Sequence, residues 1–288
     1  MTNKCKPTLR LARAAIVCRS AAAAWAARVE ATMDTTCRLC GQSAKLIDSH
    51  LLPKALYKLI REPSLKNPNP FLVTRGKAVQ TSTQLKRYLL CSVCEDRFNK
   101  NGESWVLKHC FRGGPMNRFR LRDLLIGVTP ISTNSAGDVL STVAAPEIQR
   151  NKIEYFAASV FWRGAISDWP WQGQTVPPMP LEVPLRLAFE DYLLGKTTFP
   201  RTCSLLVYLA GDTAPPLAMH PPQSGNSVGI VECRFAIPGL RFTLLPTVPA
   251  NALSLSSEPH HPVFISKDQS RLLAQQTLEL RYSILDAN

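Results

Sequence analysis

The chain has 288 residues, enough for one large domain or two of ordinary size, and its apolar fraction of 45% suits a buried core. No run approaches the roughly 20 uninterrupted apolar residues of a membrane span, so no membrane partner is expected. The net charge of +13 is uneven: residues 33–129 hold 17 basic and 7 acidic side chains, whereas residues 130–288 hold 11 and 13.

Residues 1–32 are rich in Ala and Arg and contain a single acid, Glu30. Arg13 and Arg19 leave an apolar run too short for the hydrophobic stretch of a signal peptide. Met33 stands just before Cys37, so translation is expected to start there, or residues 1–32 to be a disordered extension. Next come Cys37-Arg38-Leu39-Cys40, then Asp48-Ser49-His50-Leu51-Leu52-Pro53, and later Cys91-Ser92-Val93-Cys94-Glu95. Two Cys-x-x-Cys pairs supply the four soft thiolates of a tetrahedral structural Zn²⁺. A redox pair would instead sit in a βαβ unit, and none is visible.

Between the pairs, residues 44–50 read as a short strand stopped by Pro53, and 54–61 as a basic amphipathic helix. Residues 62–70 hold three prolines and read as a loop. Residues 71–74 and 77–81 suggest a hairpin turning at Arg75-Gly76, and 85–90 lead into the second knuckle. A helix is expected to begin at Glu95, with acids in its first turn, to break at Asn101-Gly102 and to resume over 103–111. Between Arg112 and Arg122, four arginines interleave with Phe119 and Leu121. They form a candidate backbone-contacting stripe, or an ordinary solvated face.

The order of the Cys pairs, Ser-His-x-x-Pro and Cys-Glu resembles the HNH (His-Me finger) endonuclease family over residues 37–104, and within it a bacterial branch. The resemblance implies a zinc-stabilised ββα finger in which His50 is the general base and Glu95 ligates a catalytic Mg²⁺ or Mn²⁺. Ser49 stands where the family usually has an acid or His, and Asp48 is the expected substitute as second ligand, sharing a strand face with His50. Lys86 occupies the usual place of the family's orienting asparagine. Lys86, Arg87, Arg97, Arg112, Arg118 and Arg120 are the candidate nucleic-acid contacts, matching the basic bias of this half. Glu103 is a weaker candidate ligand. His109, Cys110 and the pair His260-His261 are read as structural or incidental.

Residues 129–145, rich in Ser, Thr and Ala, are expected to be a linker. Beyond it, 147–166 reads as a core-facing helix with Ile153, Phe156, Ala157, Val160, Phe161 and Ala165 on its apolar positions. Residues 167–181 read as a Trp/Pro loop and 181–194 as a second helix. Strands are expected at 203–209, 228–236, 240–245 and 262–265, and a polar helix at 267–283. The expected fold is therefore α+β: a small zinc-stabilised ββα, HNH-like domain at 33–128, then a larger α+β domain at 146–288. The other cysteines are scattered, which fits a reducing compartment, the cytoplasm. The functional expectation is a metal-dependent endonuclease acting on DNA. The alternatives are a non-catalytic zinc module that binds nucleic acid, or a scaffold whose C-terminal half binds a protein partner.

Overall fold

The computed structural model describes residues 35–61, 66, 69–74, 77–109, 112–113, 118–134, 137–171, 174–209, 219–227, 230–247 and 263–266. The expectations for residues 1–32, Met33, Cys110, His260-His261, the 267–283 helix and most of the 62–70 loop lie outside these residues. The class is mixed α and β. Among the described residues no helix is long and apolar enough to cross a membrane.

The first half opens with β1 (Leu46–His50), α1 (Lys54–Leu59), β2 (Phe71–Thr74), β3 (Lys77–Gln80) and β4 (Lys86–Cys91). β1 pairs antiparallel with β4, and β2 with β3. A bulge between Ile47 and Asp48 interrupts the β1–β4 register. α2 (Ser92–Phe98) starts directly from β4, three residues before the predicted start.

The predicted break at Asn101-Gly102 is absent. A π-turn (Asn99–Glu103) instead carries the helix through to α3 (Ser104–His109). Gly102 sits there for space rather than flexibility. A Cβ on it would lie 2.7 Å from the Phe156 backbone nitrogen. Lys152 Nζ, on the helix packed against this turn, donates to Lys100 O at 3.0 Å. The short pair β5 (Arg112–Gly113) and β6 (Arg118–Phe119) and the single turn α4 (Arg120–Asp123) close this half.

Residues 129–145 correct the linker expectation. They form β7 (Ser132–Asn134), β8 (Gly137–Ser141) and a 3₁₀ turn. Val139 and Leu140 are buried. After α5 (Arg150–Ile166), the expected Trp/Pro loop contains the hairpin β9 (Trp169–Trp171) and β10 (Gln174–Val176). α6 (Val183–Leu193) follows, then β11 (Ser204–Leu209), β12 (His220–Ser227), β13 (Ile230–Ile237), β14 (Leu240–Leu245) and β15 (Val263–Ser266). Seven strands form one sheet in the order β12-β13-β14-β11-β15-β8-β7, antiparallel except between β11 and β15.

α5 is the axis of the molecule. Thirteen of its 17 residues, the run from Ile153 to Ala165, are buried, as expected for a helix packed on all sides. Towards the sheet, Phe156 and Phe161 meet Phe235 at ring distances of 5.9 and 5.0 Å. Towards the first half, Trp162 meets Phe98 edge-on at 6.1 Å. One hydrophobic core therefore runs from Leu39 and Phe98 through α5 to Phe242. Each large aromatic here stabilises by about 1.5–3 kcal/mol through burial.

Candidate functional site

Cys37 and Cys40 sit on a turn that closes at Gly41, where φ is +69° and glycine is favoured. The turn is held by Gly41 N–H donating to Cys37 O at 2.9 Å, and Arg38 N–H donating to Leu89 O at 3.1 Å pins it to β4. Cys91 ends β4 and Cys94 lies in the first turn of α2, so strand and helix aim both thiols at the same point. The four Sγ atoms lie within 4.8 Å of one another. Cys40 Sγ and Cys91 Sγ are 4.0 Å apart. A Zn–S bond of about 2.3 Å gives a tetrahedron edge of about 3.8 Å, so the quartet has the donor chemistry and size for a metal ion.

The thiols' ionisation points the same way. Burial opposes the Cys37 thiolate, but backbone N–H groups of Cys40, Cys91 and Leu39 outweigh it and lower its pKa to about 7. Burial and the neighbouring Cys37 charge push Cys94 far up. Four thiolates this close need a cation.

Next to this quartet lies a cleft of about 270 Å³ whose lining includes His50, Lys54, Glu95, Asn99, Glu103 and Arg163. β1 delivers His50, and the continuous α2–π–α3 helix delivers Glu95, Asn99 and Glu103. Glu95, Asn99 and Glu103 are four residues apart. In an α-helix each step of four overshoots a full turn by about 40°. The π-turn rotates less per residue, and this returns Glu103 to the Glu95 face.

His50 Nε2 hydrogen-bonds Gln84 Oε1 at 2.7 Å. With the amide oxygen accepting, Nε2 carries the proton and Nδ1 keeps its lone pair. Burial lowers the His50 pKa; the Gln84 bond and Asp48 oppose this, while Lys54 and Lys86 add to it. The ring is therefore neutral near pH 7. The side chain that holds the ring is Gln84, two residues before Lys86.

Glu95 is raised in pKa, first by burial and then by Glu103, against the lowering effects of Arg163 and a Ser49 hydrogen bond. Its Oε2 is buried without a hydrogen-bond partner. Ser49 is fully buried beside it, and its hydroxyl donates to Ile47 O at 3.5 Å.

Arg163 is fully buried. It donates from Nη1 to His50 O at 2.5 Å and from Nη2 to Glu103 Oε1. Sequence reasoning missed Arg163, Gln84 and Asn99. Arg163 lies 113 positions from His50, a separation no local motif spans.

Asp48 is not in the lining. Its carboxylate pairs with Lys86 at the surface. The cysteine quartet is the one cluster of three or more mutually close His, Cys, Asp or Glu ligand atoms found among the described residues.

Three of the expected nucleic-acid contacts have internal partners. Lys86 pairs with Asp48, and Arg87 pairs with Asp168. Arg97 donates to Leu194 O at 2.7 Å, capping the end of α6. Arg112 and Arg118 belong to the β5–β6 pair, and Arg120 is exposed at the start of α4.

Comparison of the chain with protein-family profiles, with curated proteins and with solved structures returned no match.

Proposed function

We propose that the chain is a metal-dependent endonuclease of HNH type that hydrolyses phosphodiester bonds in DNA in the cytoplasm, with a structural Zn²⁺ on Cys37, Cys40, Cys91 and Cys94. The observation that carries this reading is the convergence of His50, Glu95, Asn99 and Glu103 in one cleft beside the four thiols. The zinc fixes the β4–α2 junction, so Glu95, directly after Cys94, is held towards His50.

Neutral His50 is the general base. Its imidazole takes a proton from the attacking water as the new P–O bond forms and the bond to the leaving sugar oxygen breaks. Gln84 fixes the ring, and its contact with the imidazolium formed in the step persists. Glu95, with an unpartnered buried oxygen, is the residue best suited to hold Mg²⁺ or Mn²⁺, with Glu103 or Asn99 beside it. Such an ion supplies positive charge to the phosphate oxygens as negative charge develops there. Exposed Lys54 at the cleft rim suits a phosphate on the substrate side.

One observation favours a second reading. Glu103 is tied to Arg163 and Asp96 to Lys100, leaving Glu95 as the single uncommitted carboxylate in the cleft. A non-catalytic zinc module that binds nucleic acid, or a protein partner through the C-terminal half, would have this sparse ligand set.

Labelled DNA and RNA duplexes of one sequence, incubated with the full chain and Mn²⁺, separate the readings. The nuclease reading expects DNA cut to 5′-phosphate and 3′-hydroxyl ends, lost in His50→Ala. Salt-dependent binding without cleavage would establish the second reading.

A further inference from the structure

We propose that Arg163, on α5 in the second half of the chain, is a positioning residue for the cleft and makes α5 an integral part of the site. Its activity arm rests on the nuclease reading; its geometric arm does not.

The guanidinium is fully buried and anchored before it reaches the cleft. Its Nε donates to Ser159 O at 3.2 Å and Nη2 donates to Ser159 Oγ at 3.3 Å. That hydroxyl in turn donates to Phe156 O at 2.8 Å. The guanidinium also lies 5.1 Å from the centre of the Phe98 ring. Held this way, the planar fork has two ends left for the cleft. One reaches His50 O, at the end of β1, and the other reaches Glu103 at the far end of the π-turn.

These contacts do different things. Gln84 fixes the imidazole ring, whereas Arg163 fixes the backbone from which that ring projects. The same side chain pairs with Glu103 and leaves Glu95 as the cleft carboxylate with an unpartnered oxygen. A lysine cannot reproduce this, because an ammonium has no rigid fork with which to span two acceptors on separate elements.

The test uses the full zinc-loaded chain with ¹⁵N-labelled histidine, comparing wild type with Arg163→Lys and Arg163→Ala. In Arg163→Lys the His50 imidazole signals shift by more than their linewidth, while those of His109 and His220 hold. DNA cleavage falls by about 30-fold or more in kcat with KM changed less than about threefold, as misplacement of a base predicts. Guanidinium chloride at tens of millimolar restores about tenfold of that loss in Arg163→Ala, and sodium chloride does not.

Unmoved His50 signals with an unchanged cleavage rate would overturn the proposal, as would equal rescue by sodium chloride. If wild type cleaves nothing, the nuclease reading fails alone and the His50 signal still decides the positioning role. If Arg163→Lys loses its zinc and does not fold, Ser159→Ala, which removes one anchor of the fork, is read in the same way. A shifted His50 signal then supports the proposal and an unmoved one overturns it.

Discussion

Glu95→Gln separates a metal ligand from a merely buried acid. In wild type the carboxylate is held in a pocket that disfavours its charge, and Oε2 has no partner. An unsatisfied buried polar atom costs about 1–3 kcal/mol, and the isosteric amide removes the charge while keeping the shape. In metal-free buffer with the zinc retained, the variant should therefore melt a few degrees above wild type. One kcal/mol is about 2–4 °C for a chain of this size.

Divalent metal should reverse that order. One free carboxylate with water and phosphate oxygens describes a weak site, with Kd on the order of 0.1–1 mM. At about 10 mM Mn²⁺, binding linkage then stabilises wild type by about 1.4–2.7 kcal/mol. That is a rise of about 3–10 °C in thermal melting, and Glu95→Gln should show none. The reasoning is refuted if Mn²⁺ leaves wild type unchanged, or if it raises both proteins equally.

Gly102→Ala should destabilise by about 1–3 kcal/mol in denaturant melts, because its Cβ would meet the Phe156 backbone at 2.7 and 2.9 Å and backbone atoms cannot rotate away. Equal stability would mean α5 and the π-turn are not so closely packed. Burial pushes the Glu154 carboxyl up to about 7, against the opposing effect of Arg150. The folded state then holds a proton that the unfolded state has lost, so stability falls as pH rises from about 4.5 to 7 and stays low above. Glu154→Gln should gain up to about 3 kcal/mol at about pH 8 and almost nothing near pH 4, and a gain equal at both would sink the assignment. Cys94→Ser should lower bound zinc, measured by elemental analysis, from about one per chain to none and loosen the Leu39–Phe98 end of the core; undiminished zinc would remove Cys94 from the ligand set.

What was legible in the sequence was short-range. Two Cys-x-x-Cys pairs announced the thiol quartet, and the adjacency of Cys94 and Glu95 foretold that the quartet and the cleft would be neighbours. The apolar positions of 147–166 marked α5 correctly, but composition could not reveal that its polar Ser159 and Arg163 face inward as well. The π-turn was invisible because Asn-Gly reads as a helix break, whereas close packing against Phe156 requires the glycine. Residues 129–145 read as linker from their Ser, Thr and Ala content, although Val139 and Leu140 are buried in a sheet that β15 completes from more than a hundred residues away. β12 escaped notice because it contains Pro221 and Pro222, which an edge strand tolerates. Asp48 pairs with the nearby Lys86 at the surface, a long-side-chain contact that the alternation of faces along a strand does not foretell.

The decisive assay for His50-dependent nuclease activity is nicking of supercoiled plasmid by the full chain, run without divalent metal and in Mg²⁺ or Mn²⁺, beside His50→Ala. The account predicts nicking that needs the metal and falls by about 10²–10⁴-fold in the variant. Equal nicking by wild type and His50→Ala, or none by a zinc-loaded wild type in either metal, would contradict it.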